Sequence, residues 1–167
     1  MKKIIFFLFL LNYTIVSSQE IAVLNYGGGG DWYANPTALP NLIKFSNRFA
    51  NTAINTKIKT VSLKDETINN YPMVFITGHG NVFFTESEIT ILRNYLISGG
   101  FLHISDNYGL DKYIRRELKK LFPKSNLQEL PNNHPIYHQT FSFPKGLPKI
   151  HEHDKKRAQG FGLFHKG

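Results

Sequence analysis

Apolar positions along the chain recur in two alternating rhythms. Ile21-Ala22-Val23-Leu24-Asn25-Tyr26 is a short apolar run closed by four glycines at 27–30, the pattern of a strand buried on both faces. Leu39, Leu42, Ile43 and Phe49 then recur at helical spacing behind the start signal Asn35-Pro36. Ile58 to Leu63 reads as a second strand. Met73-Val74-Phe75-Ile76 reads as a third, closed by Gly78-His79-Gly80. Thr85-Glu86-Ser87-Glu88 is a capping box, in which the Thr85 hydroxyl and the Glu88 carboxylate each satisfy an amide that the helix start leaves open. Ile89, Leu92, Tyr95 and Leu96 form the inner stripe of that helix, and Gly99-Gly100 stops it. Phe101-Leu102-His103-Ile104 is a fourth strand. Leu110, Tyr113, Ile114, Leu118 and Leu121 predict a further amphipathic helix ended by Pro123.

Short apolar strands alternating with helices imply right-handed βαβ units and a parallel sheet covered on both sides. The predicted fold is therefore α/β: a three-layer, doubly wound sandwich with a mainly parallel sheet. Beyond Pro123 the regularity fades into a segment rich in Pro and His. Phe161-Gly162-Leu163-Phe164 has the pattern of another strand, close to the last residue, Gly167, and a C-terminally incomplete domain is expected. Repeats and low-complexity tracts are absent from the sequence.

Length and composition narrow the picture. With 167 residues, 41% hydrophobic and 14% aromatic, the chain has material for one domain with a real core. Lys2 and Lys3 precede an unbroken apolar run, Ile4 to Leu11, and Val16-Ser17-Ser18 supplies small residues. This is the pattern of a cleaved secretory signal over 1–18, with the α/β domain over 19–167 and a periplasmic or extracellular destination. The run is too short to span a bilayer of about 30 Å, so no transmembrane segment is expected after cleavage. The net charge of +8 falls to +6 without Lys2 and Lys3. Lys112, Arg115, Arg116, Lys119 and Lys120 carry much of it and read as the solvated face of a helix. No nucleic-acid motif accompanies them. The chain has no cysteine, which removes disulfides, thiol nucleophiles and thiolate metal ligands together.

In a doubly wound sheet, ligands bind beyond the carboxyl ends of the strands. Three polar, glycine-containing segments leave such ends: 27–33, 77–81 and 105–109. From them come the candidate binding residues Gly28, Gly29, Asp31, Trp32, Tyr33, Gly78, His79, Asn81, Asp106 and Asn107. The glycine run lacks the Lys-Ser/Thr of a phosphate loop, and Asp31 puts a negative charge where phosphate would sit, so it reads as a turn that lets the backbone pass closely. His79 and Asp106 are the candidate acid–base pair. A divalent metal such as zinc is the alternative, with Asp31, His79, Asp106, His134 and His153 as its possible ligands. His151-Glu152-His153-Asp154 is dense in ligand types but lacks the four-residue spacing of the helical zinc motif. Ser105 has no flanking glycine elbow.

The segments Tyr26-Gly27-Gly28-Gly29-Gly30-Asp31-Trp32-Tyr33, Tyr71-Pro72 before Thr77-Gly78-His79-Gly80, Gly99-Gly100-Phe101 before Asp106, and Asn133-His134-Pro135-Ile136 together resemble the bacterial family catalogued as domain of unknown function 4159. The stretch Lys149-Ile150-His151-Glu152-His153-Asp154, followed by Gln159-Gly160-Phe161-Gly162, is similar to the same family. The resemblance implies a class I glutamine amidotransferase-like, flavodoxin-like sandwich and no established activity. It also implies a domain that continues with further strand and helix. Amidotransferases carry a cysteine on the turn after a central strand. The comparable turn here is Ser105-Asp106-Asn107, so glutamine hydrolysis by that route is excluded.

The sequence therefore predicts an exported cell-envelope domain that is non-catalytic and takes a small-molecule, glycan or protein ligand, with no cofactor. A sugar or peptide stacking on Trp32 or Tyr33 is one concrete form. The alternative is a metal-assisted hydrolase using the His and Asp residues at the strand ends.

Overall fold

The computed structural model describes residues 19–149 and 155–165. The expected signal segment 1–18 and the run His151–Asp154, with candidate ligand His153, lie outside the described residues. Strands β1 (Ile21–Asn25), β2 (Lys59–Ser62), β3 (Met73–His79) and β4 (Phe101–Tyr108) form one sheet in the order β2-β1-β3-β4. Every pairing in it is parallel. The helices are α1 (Ala38–Phe49), α2 (Glu86–Ile97) and α3 (Asp111–Leu121). This is the predicted alternation, and the order in which β1 is flanked by both β2 and β3 is that of a flavodoxin-like sandwich.

Side chains that alternate along the strands separate two cores. Ala22, Leu24, Val74 and Ile76 face a core completed by Ile89, Leu92 and Tyr95 of α2 and by Ile114, Leu118 and Leu121 of α3. Ile21 and Phe75 face the other way, onto Leu39 and Ile43 of α1. Each fully buried Leu or Ile contributes about 2 kcal/mol of transfer free energy. Pro40 is accommodated in α1 because it lies in the first turn, where backbone amides have no helical acceptor. The capping box of α2 forms as predicted: Glu88 N donates to Thr85 Oγ1 at 3.3 Å and Thr85 N to the Glu88 carboxylate at 2.8 Å.

Two features depart from the sequence pattern. β3 and β4 run three and four residues beyond the apolar runs that announce them, so His79 ends a strand and Ser105 to Tyr108 belong to one. The segment at Phe161–Leu163 does form a strand, β6, but it pairs antiparallel with β5 (Leu127–Glu129) in a separate two-stranded sheet. Neither strand extends the parallel sheet. No helix among the described residues is long and apolar enough to cross a membrane.

Candidate functional site

All four carboxyl ends of a parallel sheet lie on one edge. The chain leaves β1 toward β2 through α1, while β3 lies on β1's opposite side, so the crevice between β1 and β3 is the topological switch point. Asp31 enters it from the segment after β1, and His79 from the end of β3. The Asp31 carboxylate accepts a hydrogen bond from the His79 backbone amide through Oδ1, and its Oδ2 lies 2.9 Å from His79 Nδ1. The backbone bond from His79, chiefly, holds the Asp31 carboxyl below its ordinary value of 3.8; burial opposes this and the imidazole contact adds to it. A carboxylate facing Nδ1 selects the tautomer with the proton there, leaving Nε2 as an acceptor. Half of the His79 side chain is exposed (51%), and none of the described residues bonds Nε2.

The geometry requires glycine at Gly78, which has φ +137° and faces the Asp31 carbonyl oxygen 2.8 Å from where a Cβ would stand. The Tyr26 hydroxyl closes the same space. It donates to the Thr77 carbonyl at 3.0 Å, and burial first, Asp31 second, push its pKa up to about 12. The glycine run is knitted to the segment after β3: Gly30 N donates to Asn81 O at 3.0 Å, Phe83 N to Gly27 O at 2.9 Å, and Asn81 Nδ2 to Gly28 O at 3.0 Å. The run is thus a close backbone passage. Gly28 is packed on Phe83, whereas Gly29 borders open space.

On the α1 side of the same edge, segment 32–36 lines an open pocket of about 400 Å³ against the sheet. Trp32 is half-buried and Tyr33 is 68% exposed, their rings edge to face at 5.6 Å. Asn35 donates to Asn107 Oδ1 at 2.6 Å, and Thr77 Oγ1 reaches the same oxygen at 3.3 Å. Asn107 Nδ2 is buried without a hydrogen-bond partner among the described residues.

The other candidates are placed differently. Asp106 pairs in register with Gly78, but its carboxylate accepts from the amides of Leu110 (2.9 Å) and Asp111 (3.3 Å) at the start of α3. It shares no hydrogen bond with His79. His134 accepts from Ile136 N at 3.3 Å and caps the short turn Pro135–Tyr137. Among the described residues no group of three His, Asp or Glu side chains is arranged to hold a metal ion.

One residue is not announced by the sequence motifs. Glu117 is fully buried, and its carboxylate accepts from Phe84 N (3.1 Å), Arg116 Nε (2.7 Å) and Lys120 Nζ (2.9 Å). Burial alone would raise its pKa, yet the bonds from Lys120, Arg116 and Phe84 outweigh it and hold the group below its ordinary value. Arg116 also donates to Asn81 Oδ1 at 3.0 Å and Val82 O at 2.6 Å. Two of the five cations expected on a solvated face therefore fasten the segment after β3. The spacing of Ile114, Glu117, Leu118 and Leu121 places Glu117 on the apolar stripe, and that misplacement is the available signal.

The fold and site define a flavodoxin-like three-layer α/β domain whose switch point holds an aspartate–histidine pair. The model of the family described as "Domain of unknown function (DUF4159)" matches residues 20–167, and the chain belongs to that family. No curated protein matches it.

Proposed function

We propose that this is an exported cell-envelope domain that binds a ligand at the carboxyl edge of its sheet, without glutamine-hydrolysing chemistry. The observation that carries the reading is the Asp31–His79 pair, which joins the segment after β1 to the end of β3 across the switch point and leaves Nε2 of a half-exposed ring without a bond from the described residues. A ring fixed by a carboxylate on one side loses little freedom when its other nitrogen meets a ligand. Gly29, Trp32 and Tyr33 border the same edge. Export rests on the sequence pattern of 1–18. The test is titration of the purified full chain with envelope glycan and peptide fragments, followed by fluorescence of Trp32, the single tryptophan. A saturable response that His79→Ala weakens about tenfold is expected, the order of a hydrogen bond to an ionic or polarised group. If Trp32 fluorescence and melting temperature ignore every fragment, the reading falls.

A second reading follows from the same pair. Asp31 on Nδ1 is also the arrangement that orients a histidine as a general base, with Nε2 taking a proton from water. The metal-assisted form lacks three assembled ligands among the described residues, so the metal-free form is the one to test. It requires turnover of an ester or amide substrate that His79→Gln abolishes while Asp106→Asn does not.

A further inference from the structure

We propose that the cavity under segment 32–36 is a binding site for a small planar, weakly polar ring compound carrying one or two hydrogen-bonding substituents. The inference rests on the reading that this edge binds a ligand and names the ligand's chemical class. At about 400 Å³ the space lies within the range of small-molecule pockets and is too small for a helix or a folded partner.

Its walls decide the class. Trp32, Pro36, Leu39, Ile58 and Phe75 present aromatic or aliphatic surface, while the polar lining is neutral: Asn35, Thr56, Thr60 and Thr77. No charged side chain among the described residues lines it, so a phosphate, a free amino acid or another fully ionised ligand would lose its hydration without a counter-ion. A flat ring finds dispersion contacts on the Trp32, Leu39 and Phe75 surface, and one amide, carbonyl or hydroxyl finds the threonine and asparagine groups.

The segment beside the pocket turns through a left-handed residue. Asn35 has φ +54°, in the left-handed region, and its side chain is tied to Asn107. Turning the amides of Asn35 and Asn107 together exchanges their roles but still leaves one polar atom of Asn107 without a partner among the described residues. Tyr33, 68% exposed, borders the same pocket.

The experiment uses the purified full chain and three probes: benzamide, toluene and acetamide. Trp32 fluorescence reports binding, and methyl chemical shifts of Leu39 and Ile58 report location. Benzamide should bind saturably and shift both methyls, toluene should do so more weakly, and acetamide should do neither. Thr60→Phe fills the floor from an exposed position on a strand that tolerates aromatic residues, and should weaken benzamide at least tenfold. Melting of that variant establishes that it is folded, and Ala34→Phe fills the cavity from segment 32–36 should it not be. Benzamide and toluene both failing at millimolar concentration, or acetamide matching benzamide, overturns the inference. Envelope fragments that still respond through His79 would then leave the binding reading standing. Ring probes that bind while every fragment fails would support the cavity as the ligand site and remove His79 from it.

Discussion

Two carboxylates hold the two ends of one segment, and they do so in opposite ways. Glu117 fixes the far end, at Phe84, from a fully buried position with three donors around it. Asp31 fixes the near end, at His79, from a partly exposed position, with its side chain 34% accessible. The first anion is shielded from solvent and has both charge partners on its own helix, so its work is structural. The second has one partner, whose ring is half-exposed and bonds no described residue through its remaining nitrogen. The same pairing, a carboxylate with a cationic or imidazole group, thus serves rigidity at one end and availability at the other.

The comparison breaks most sharply at Glu117. Glu117→Ala leaves Arg116 and Lys120 without their anion and Phe84 N without its acceptor, so a loss of about 3 kcal/mol or more is expected. Urea denaturation measures it; a loss under about 1 kcal/mol would mean that the cluster is not a structural hub. Gly78→Ala should cost about 2 kcal/mol, because it combines a left-handed φ with a methyl driven toward Asp31 and Tyr26. A variant as stable as the parent would show that β3 can shift there at no cost.

Acid should separate the two groups. A carboxylate held below its ordinary value stabilises the fold above that value, and the contribution is lost as pH falls through the folded value. Both groups shift this way, Glu117 from 4.5 and Asp31 from 3.8. Stability should therefore hold near neutrality and decline once the pH drops below 4.5, and Glu117→Ala should remove the upper part of that decline. Denaturation curves from neutral pH down to about pH 3 test this; identical slopes in the parent and the variant would refute the assignment.

Asp31→Asn is expected to cost about 1 kcal/mol at most, since solvent screens a partly exposed pair. The smallest effect belongs to His79→Ala, within about 0.5 kcal/mol in stability, set against the tenfold loss of binding proposed above. If His79→Ala destabilised the fold as much as Glu117→Ala, the division between a structural and an available end would fail.

The four strands and three helices of the sandwich are legible because each carries a local signature: apolar runs of strand length, helical stripes, a capping box, glycine and proline stops. The glycine passage at 27–30 is legible for the same reason. The sequence marks Asp31 and His79 as residues of the edge and joins them only as possible ligands of one metal. Its acid–base pair is His79 with Asp106, whereas the structure shows the Asp106 carboxylate bonded to the start of α3. Glu117 is hidden because a charge within a basic helical stretch reads as solvated until the stripe beneath it is matched with Phe84, 33 residues away.

By itself the sequence determined the fold class, the position of the edge where the polar segments gather, and the lack of any cysteine among its 167 residues. These follow from periodicity and composition, which act over a few residues at a time. Only the tertiary structure decided which aspartate faces His79, which carboxylate is buried, and that a neutral cavity lies beneath Trp32. The first of these depends on how segments 48 residues apart are brought together by the register of β1 and β3, and a hydrogen bond across that separation leaves no mark on the local pattern of either partner.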